Sequence, residues 1–171
     1  YKRLVVEVPD LRLVIAPRYI DRAPRVLSLV EAAGLHGGLR SLGNPQGAPV
    51  VVLDSIGELA RAYRLATVVF VGGSFTTRGG QNILEPAAQG RPVLFGPHME
   101  NFKDSVGVLV GRGGLQVKDP DNLFKVLAEL FARPETIESL GVLARQAVRQ
   151  VSGASDRNVA ALARLLEERR P

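Results

Sequence analysis

The sequence contains no cysteine. That excludes a disulfide framework, a thiolate nucleophile and a thiolate metal site, and it suits a reducing compartment. Long apolar runs are missing as well. The longest, Leu65 to Val71, is interrupted by Thr67 and falls far short of the ~18 residues that a bilayer-spanning helix needs. Histidine occurs only as His36 and His98, which disfavours a two-histidine metal site. Aromatics make up 5 % of the chain and no basic stripe is interleaved with them, so nucleic acid is not an expected partner. There is also no initiator Met and no signal peptide. The chain opens at Tyr1 inside what reads as the end of an amphipathic helix, and is read as a piece of a longer protein.

What remains is a foldable composition. With 171 residues, 46 % of them apolar and 23 % charged, the chain is long enough for one substantial core, spread over residues 1–171 as a single domain. The net charge of +5 favours anionic partners, although the arginines are scattered. Only Arg164, Glu167, Glu168, Arg169 and Arg170 form a dense charged end, mixed in sign.

Apolar runs alternate with helical patterns along the first half: Leu11 to Ala16, Ala23 to Ala33, Val50 to Leu53, Ile56 to Ala66, Thr67 to Val71. The second half repeats the rhythm with a helix at Leu84 to Gln89, a strand at Pro92 to Phe95, a helix at Phe102 to Gly111 and a strand at Leu115 to Val117. Strands that are apolar throughout, alternating with helices, predict an α/β domain: a doubly wound, Rossmann-like parallel sheet with helices on both faces. Leu35 to Pro49 is dense in Gly and Pro and reads mostly as loop, with a short strand at Gly38 to Arg40. Helical patterns at Pro120 to Phe131, Pro134 to Ser152 and Asp156 to Glu168 follow, with Asp119 and Asp156 as N-caps, so that residues 134–171 form a helical tail.

In an open α/β sheet, ligands sit beyond the carboxyl ends of the strands. Three such exits carry unusual residues: Pro17-Arg18-Tyr19, Gly72-Gly73-Ser74-Phe75 and Gly96-Pro97-His98. The stretch from Gly72 to Asn82 holds Gly72, Gly73, Gly79 and Gly80 and runs into a helix, which suits a phosphate cradle: glycines admit a close backbone approach and a helix N-terminus favours an anion. It matches neither the G-x-G-x-x-G fingerprint nor a Walker A loop, which disfavours NAD and P-loop chemistry. Glu85 stands beside Pro86. With Pro86 opening the helix, the Glu85 carboxylate is free to accept both hydroxyls of a ribose; with Asn82 as N-cap it would complete a capping box instead. Arg18 suits a phosphate or carboxylate, and His98 a phosphate or base. Asp54-Ser55-Ile56-Gly57-Glu58-Leu59 reads as a helix start, with Asp54 or Ser55 as N-cap and Glu58 in a capping box.

Taken in order, Ala16-Pro17-Arg18, Asp54 to Leu59, Val71-Gly72-Gly73-Ser74, Gly79-Gly80-Gln81-Asn82-Ile83-Leu84-Glu85-Pro86 and Gly96-Pro97-His98-Met99-Glu100-Asn101-Phe102 resemble the bacterial Kdo (3-deoxy-D-manno-octulosonic acid) transferases, glycosyltransferase family 30. Two positions depart from that pattern: Tyr19 and Gln81 each stand where the family commonly has His, which removes a titratable imidazole. The resemblance implies the C-terminal half of a two-domain GT-B glycosyltransferase. That half would hold the donor CMP-Kdo through Pro17, Arg18, Gly72, Gly73, Ser74, Gly79, Gly80, Gln81, Asn82, Glu85 and His98, with no cofactor and no metal. It places the general base and the lipid A precursor in an N-terminal domain outside this chain. It further implies a peripheral protein at the anionic cytoplasmic face of the inner membrane. Two alternatives stay open: another GT-B enzyme using a UDP-sugar, of the UDP-GlcNAc transferase or 2-epimerase type, and a non-catalytic anion-binding module.

Overall fold

The computed structural model describes residues 1–43 and 47–168, with side chains described through residue 153. The charged end at Arg164 to Arg170 therefore lies outside the described side chains. In chain order the elements are α1 (Leu4–Glu7), β1 (Leu13–Ile15), α2 (Ala23–Ala32), β2 (Gly37–Leu39), β3 (Val50–Val52), α3 (Leu59–Leu65) and β4 (Val69–Val71). They continue with α4 (Leu84–Ala88), β5 (Val93–Phe95), α5 (Lys103–Leu109), β6 (Gly114–Gln116), α6 (Pro120–Phe131) and α7 (Pro134–Glu168).

All strand pairs are parallel, with α2, α4 and α5 as crossover helices and a loop connecting β2 to β3. The ladders divide into two three-stranded sheets, β1-β3-β2 and β4-β5-β6, rather than running as one continuous sheet. Each strand pairs over only three residues, and Val14 at the centre of β1 is 52 % exposed, so the first sheet keeps an open flank.

The central strands are the most deeply buried: Val93, Leu94 and Phe95 of β5 and Val50 and Val52 of β3 are all inaccessible to solvent. In the second sheet the period of two along a strand sorts side chains to two cores. Val71, Val93 and Phe95 point to a cluster with Ile83, Ala87, Leu109, Ala144, Ala147 and Val148, from α4, α5 and α7. Phe70, Leu94 and Leu115 point the other way, to Leu123, Val126, Leu127 and Leu130 of α6 and Ile137 and Leu140 of α7. Helices thus cover both faces, which is why β4 and β5 are apolar at every position rather than alternating.

Helix ends follow their local chemistry. Asp119, in extended conformation, accepts from the Asn122 backbone N–H at 2.7 Å, and Pro120 fills the first turn where no N–H is needed. The expected break between Ser152 and Asp156 does not occur: α7 runs unbroken from Pro134 to Glu168, so Asp156 lies inside a helix rather than capping one. No helix among the described residues is long and apolar enough to cross a membrane.

The long helix docks through small residues. A Cβ at Gly141 would run into the Gly90 carbonyl oxygen, whereas one at Gly107 in α5 would meet nothing within 4 Å. Gly141→Ala is therefore expected to cost ~2 kcal/mol or more through overpacking, while Gly107→Ala stabilises by ~0.5–1 kcal/mol by relieving the entropic cost of a helical glycine. Paired denaturant titrations check the contrast; two variants of equal stability would contradict the docking.

Candidate functional site

The loops leaving β4 and β5 are tied together by Ser74. This side chain is fully buried; its hydroxyl donates to the Val71 carbonyl at 2.6 Å and accepts from the Gly96 N–H at 2.7 Å, while the His98 N–H donates to the Ser74 carbonyl at 2.9 Å. The buried hydroxyl thus bonds to backbone on both sides, so the Ser74 side chain acts as part of the scaffold of this edge. The next residue, Phe75, stacks at 5.1 Å on Phe70 and anchors the loop in the core beneath.

The glycines of this loop serve different ends. Gly73 has φ of +80°, and a Cβ there would lie 2.8 Å from the Gly79 carbonyl oxygen, so the turn admits no side chain. Gly80 is buried under Met99, whose sulfur occupies the space a Cβ would take. Gly72 alone of the four is exposed with open space around the missing Cβ and no positive φ. The surface a phosphate can approach is therefore narrower than the glycine pattern implies, centred on Gly72 and Gly73.

At the far end of the loop, Asn82 does two things. Its Oδ1 accepts from the Leu84 N–H at 2.9 Å, capping the first turn of α4, and its Nδ2 donates to Glu85 Oε1 at 3.0 Å. The helix starts at Leu84, so Pro86 falls within the first turn, where its missing N–H costs nothing. Both sequence alternatives are thereby modified: Asn82 caps the helix without a clash from Pro86, and Glu85 is not free but held on one oxygen by a side-chain amide, leaving the other exposed. From α3, half-buried Tyr63 lies beside this carboxylate. Burial, and then the Glu85 charge, push its hydroxyl above the usual tyrosine range, so it stays protonated.

The exit of β1 reaches the same place. Arg18, exposed, donates through Nη1 to Gln81 Oε1, setting a guanidinium from the first sheet against the glycine loop of the second. Four of the five N–H groups of Arg18 remain for an anion. Pro17 precedes it, and the Tyr19 ring packs beneath the guanidinium groups of Arg18 and Arg22 at 5.9 and 5.1 Å. From β5, His98 Nδ1 lies 3.3 Å from Glu100 Oε1; the Glu100 backbone N–H, followed by His98, holds that carboxyl below the usual range. Next to it is a cavity of about 230 Å³ lined by Pro97, Met99, Glu100, Lys103, Val106 and Gln116. Tyr63 carries no signal in the sequence, and Met99 and Asn101 stand there only as members of the Gly96 to Phe102 motif; their placement, with Met99 over Gly80 and Asn101 near Gly79, depends on packing between distant segments. A larger cavity of about 510 Å³ lies at the opposite edge, where Arg91 and Arg145 meet the start of α7, away from every strand exit named above.

The Asp54 to Leu59 segment differs from its expected role. Helix α3 begins only at Leu59, and Asp54 instead accepts from the Ser41 hydroxyl at 2.5 Å and the Ser41 N–H at 2.8 Å. These bonds, the hydroxyl first, keep the Asp54 carboxyl below its ordinary range. Glu58 accepts from the Ser55 hydroxyl and pairs with Arg40 at 3.1 Å, so the capping box is replaced by a brace between the exits of β2 and β3.

No protein-family model matches the chain. It is 34 % identical over 158 residues to the 3-deoxy-D-manno-octulosonic acid transferase of Bordetella pertussis, covering 90 % of this chain and 37 % of that protein. With the enzyme of the same name from Haemophilus influenzae it shares 32 % over 161 residues, covering 92 % of this chain and 38 % of the relative. The chain thus spans somewhat over a third of the length of these relatives. Among solved structures it superposes with a TM-score of 0.78 and 29 % identity on the C-terminal CMP-Kdo binding domain of WaaA from Acinetobacter baumannii, over 86 % of this chain and 78 % of that one. A sucrose-phosphate synthase from Thermosynechococcus elongatus, at 20 % identity and a TM-score of 0.57, shares the fold. The parallel sheets, their two helical faces and the loops gathered at the carboxyl edge define a C-terminal domain of a GT-B glycosyltransferase. Within that class the chain is similar, over 90 % of its own length or more, to the 3-deoxy-D-manno-octulosonic acid transferases of Bordetella pertussis and Haemophilus influenzae.

Removing the Ser74 hydroxyl leaves the buried Gly96 N–H without a partner, at a cost of ~1–3 kcal/mol. Ser74→Ala is expected to lower the denaturation midpoint accordingly and to broaden the amide signals of both loops; a variant as stable as the native protein would show that the tie is dispensable.

Proposed function

We propose that this domain binds CMP-Kdo along the carboxyl edge of its strands, and that the longer protein transfers Kdo from it to a lipid A precursor in lipopolysaccharide biosynthesis. The observation that carries this reading is the Arg18–Gln81 contact. It sets a cation with spare donors against a loop whose exposed backbone at Gly72 and Gly73 admits a phosphate, with the free oxygen of Glu85 at the loop's far end.

In this reading the Arg18 guanidinium and the backbone of Gly72 and Gly73 hold the phosphate, and Glu85 accepts from the ribose hydroxyls. His98 donates to the phosphate or the base. Pro17, Gly79, Gly80, Gln81 and Asn82 shape the walls. Ser74 contributes only by tying the two loops.

We assign the general base to a part of the longer protein outside these residues. Inverting transfer needs a carboxylate free to take a proton from the acceptor hydroxyl. Glu58 and Glu85 are each committed, to Ser55 and Arg40 in one case and to Asn82 in the other. The longer protein then works peripherally at the cytoplasmic face of the inner membrane, where the net charge of +5 is attracted to anionic lipid.

Titration with CMP and UMP, followed by backbone amide shifts, tests the donor. CMP is expected to bind more tightly and to move signals from Gly72 to Glu85. Equal or tighter UMP binding would transfer the chain to the UDP-sugar enzymes, and anion binding indifferent to the base would favour a plain anion module. Glu85→Gln is expected to weaken CMP binding by ~1.5–3 kcal/mol, the scale of a charged hydrogen bond; unchanged affinity would remove the ribose role.

Turnover gives a separate check. These 171 residues alone are expected to transfer no Kdo from CMP-Kdo to a lipid A precursor. Transfer by the purified chain would mean that the base lies among them.

A further inference from the structure

We propose that Asn82 is a positioning residue for Glu85: its side-chain amide fixes one carboxylate oxygen so that the other faces the nucleotide, and it couples that orientation to the start of helix α4. The inference rests on the donor reading above and deepens it. Asn82 is exposed, and its two side-chain bonds point in opposite chemical directions. Oδ1 accepts from the Leu84 N–H at 2.9 Å and Nδ2 donates to Glu85 Oε1 at 3.0 Å. A carboxylate on a short, exposed first turn is otherwise free to rotate, and holding it in one rotamer removes an entropic cost from each binding event. The amide supplies both functions at once, whereas an ionised aspartate in its place retains the acceptor for the cap and lacks the donor for Glu85.

That asymmetry separates positioning from plain structure. Asn82→Asp keeps the cap, and a negative charge near a helix N-terminus is tolerated. It also places a second carboxylate against Glu85, and two such groups at hydrogen-bond distance settle by sharing one proton. In acid a shared proton restores a bond between positions 82 and 85; in base the pair repels. Tyr63 of α3 faces Glu85 as well, but stays protonated throughout. Lys103 and Asp104 of α5 and Glu138, Arg145 and Arg149 of α7, the other helices packed on α4, are common to both proteins, so they cancel in a comparison of the two.

The quantity to measure is the ratio of the CMP Kd of Asn82→Asp to that of the native protein, in which the ligand's own titration also cancels. It is expected to be roughly tenfold or more near pH 8 and to fall toward one near pH 5, with the variant's thermal midpoint close to native. A ratio near one throughout, or a raised ratio that does not change with pH, would overturn the positioning role. A second readout needs no ligand. The Asn82 side-chain amide signals, identified by their loss in Asn82→Asp, are expected to move with pH in the native protein and to stay fixed in Glu85→Gln. Signals that ignore Glu85→Gln would refute the contact. A native protein that fails to bind CMP while its Asn82 amide follows Glu85 would overturn the donor reading and leave the Asn82–Glu85 coupling standing.

Discussion

The arrangement of this domain's functional edge depends on one buried hydroxyl. Parallel strands of three residues provide few ladder bonds with which to hold their exits in register, and the loops leaving β4 and β5 have no helix between them at the carboxyl edge. Ser74 closes that gap by accepting the Gly96 N–H and donating to the Val71 carbonyl. Its backbone carbonyl then takes the His98 N–H, so the position of the β5 loop is set from the β4 loop. Because each group involved is buried, losing the hydroxyl exposes no alternative partner, and the penalty is the full desolvation cost of an orphaned donor. The glycine turn and the histidine loop are both placed relative to this tie.

The sequence made the elements legible more readily than their connections. Strands β3 and β5 are recognisable because a central strand covered on both faces must be apolar at every position, and Val-Val-Val and Val-Leu-Phe are. The cap at Asp119 was visible because its chemistry is local, completed within three residues. Three features were not visible for the opposite reason. Continuity of α7 through Gly153 and Asp156 runs against local propensity, and the same helix packs on α4, α5 and α6, contacts that no local pattern announces. Asp54 looks like a cap until β2 brings Ser41 to it. The division of the ladder into two sheets leaves no periodic signal, since strands on either side of it read alike.

The glycine loop shows how a composition signal can be right in place and wide in extent. A cluster of four glycines invites the reading that all four line a ligand, but two of the positions are buried, Gly80 is closed over by Met99, and Gly73 is required by its φ and by the Gly79 carbonyl. Close packing of a loop against itself and close approach of a loop to a phosphate impose the same demand, absence of a side chain. Only coordinates separate them. What survives as accessible backbone is short, and Arg18, from the exit of β1, reaches the same loop at Gln81.

Charges along this edge are held rather than free. Glu58 is braced by Arg40 and Ser55, Asp54 by Ser41, Glu100 by its own N–H and His98, and Glu85 by Asn82. For Asp54 and Glu100 these bonds keep the carboxyl below its ordinary range, which suits recognition and opposes proton abstraction. Arg18 differs, since its single bond goes to a neutral amide that an anion can displace without breaking an ion pair. The edge therefore combines fixed acceptors with one cation whose bond is easily exchanged, a set of properties suited to seating a sugar nucleotide by its phosphate and hydroxyls. Proton transfer demands a group free to take up a proton, and at this edge each of these carboxylates is instead tied to a neighbouring donor.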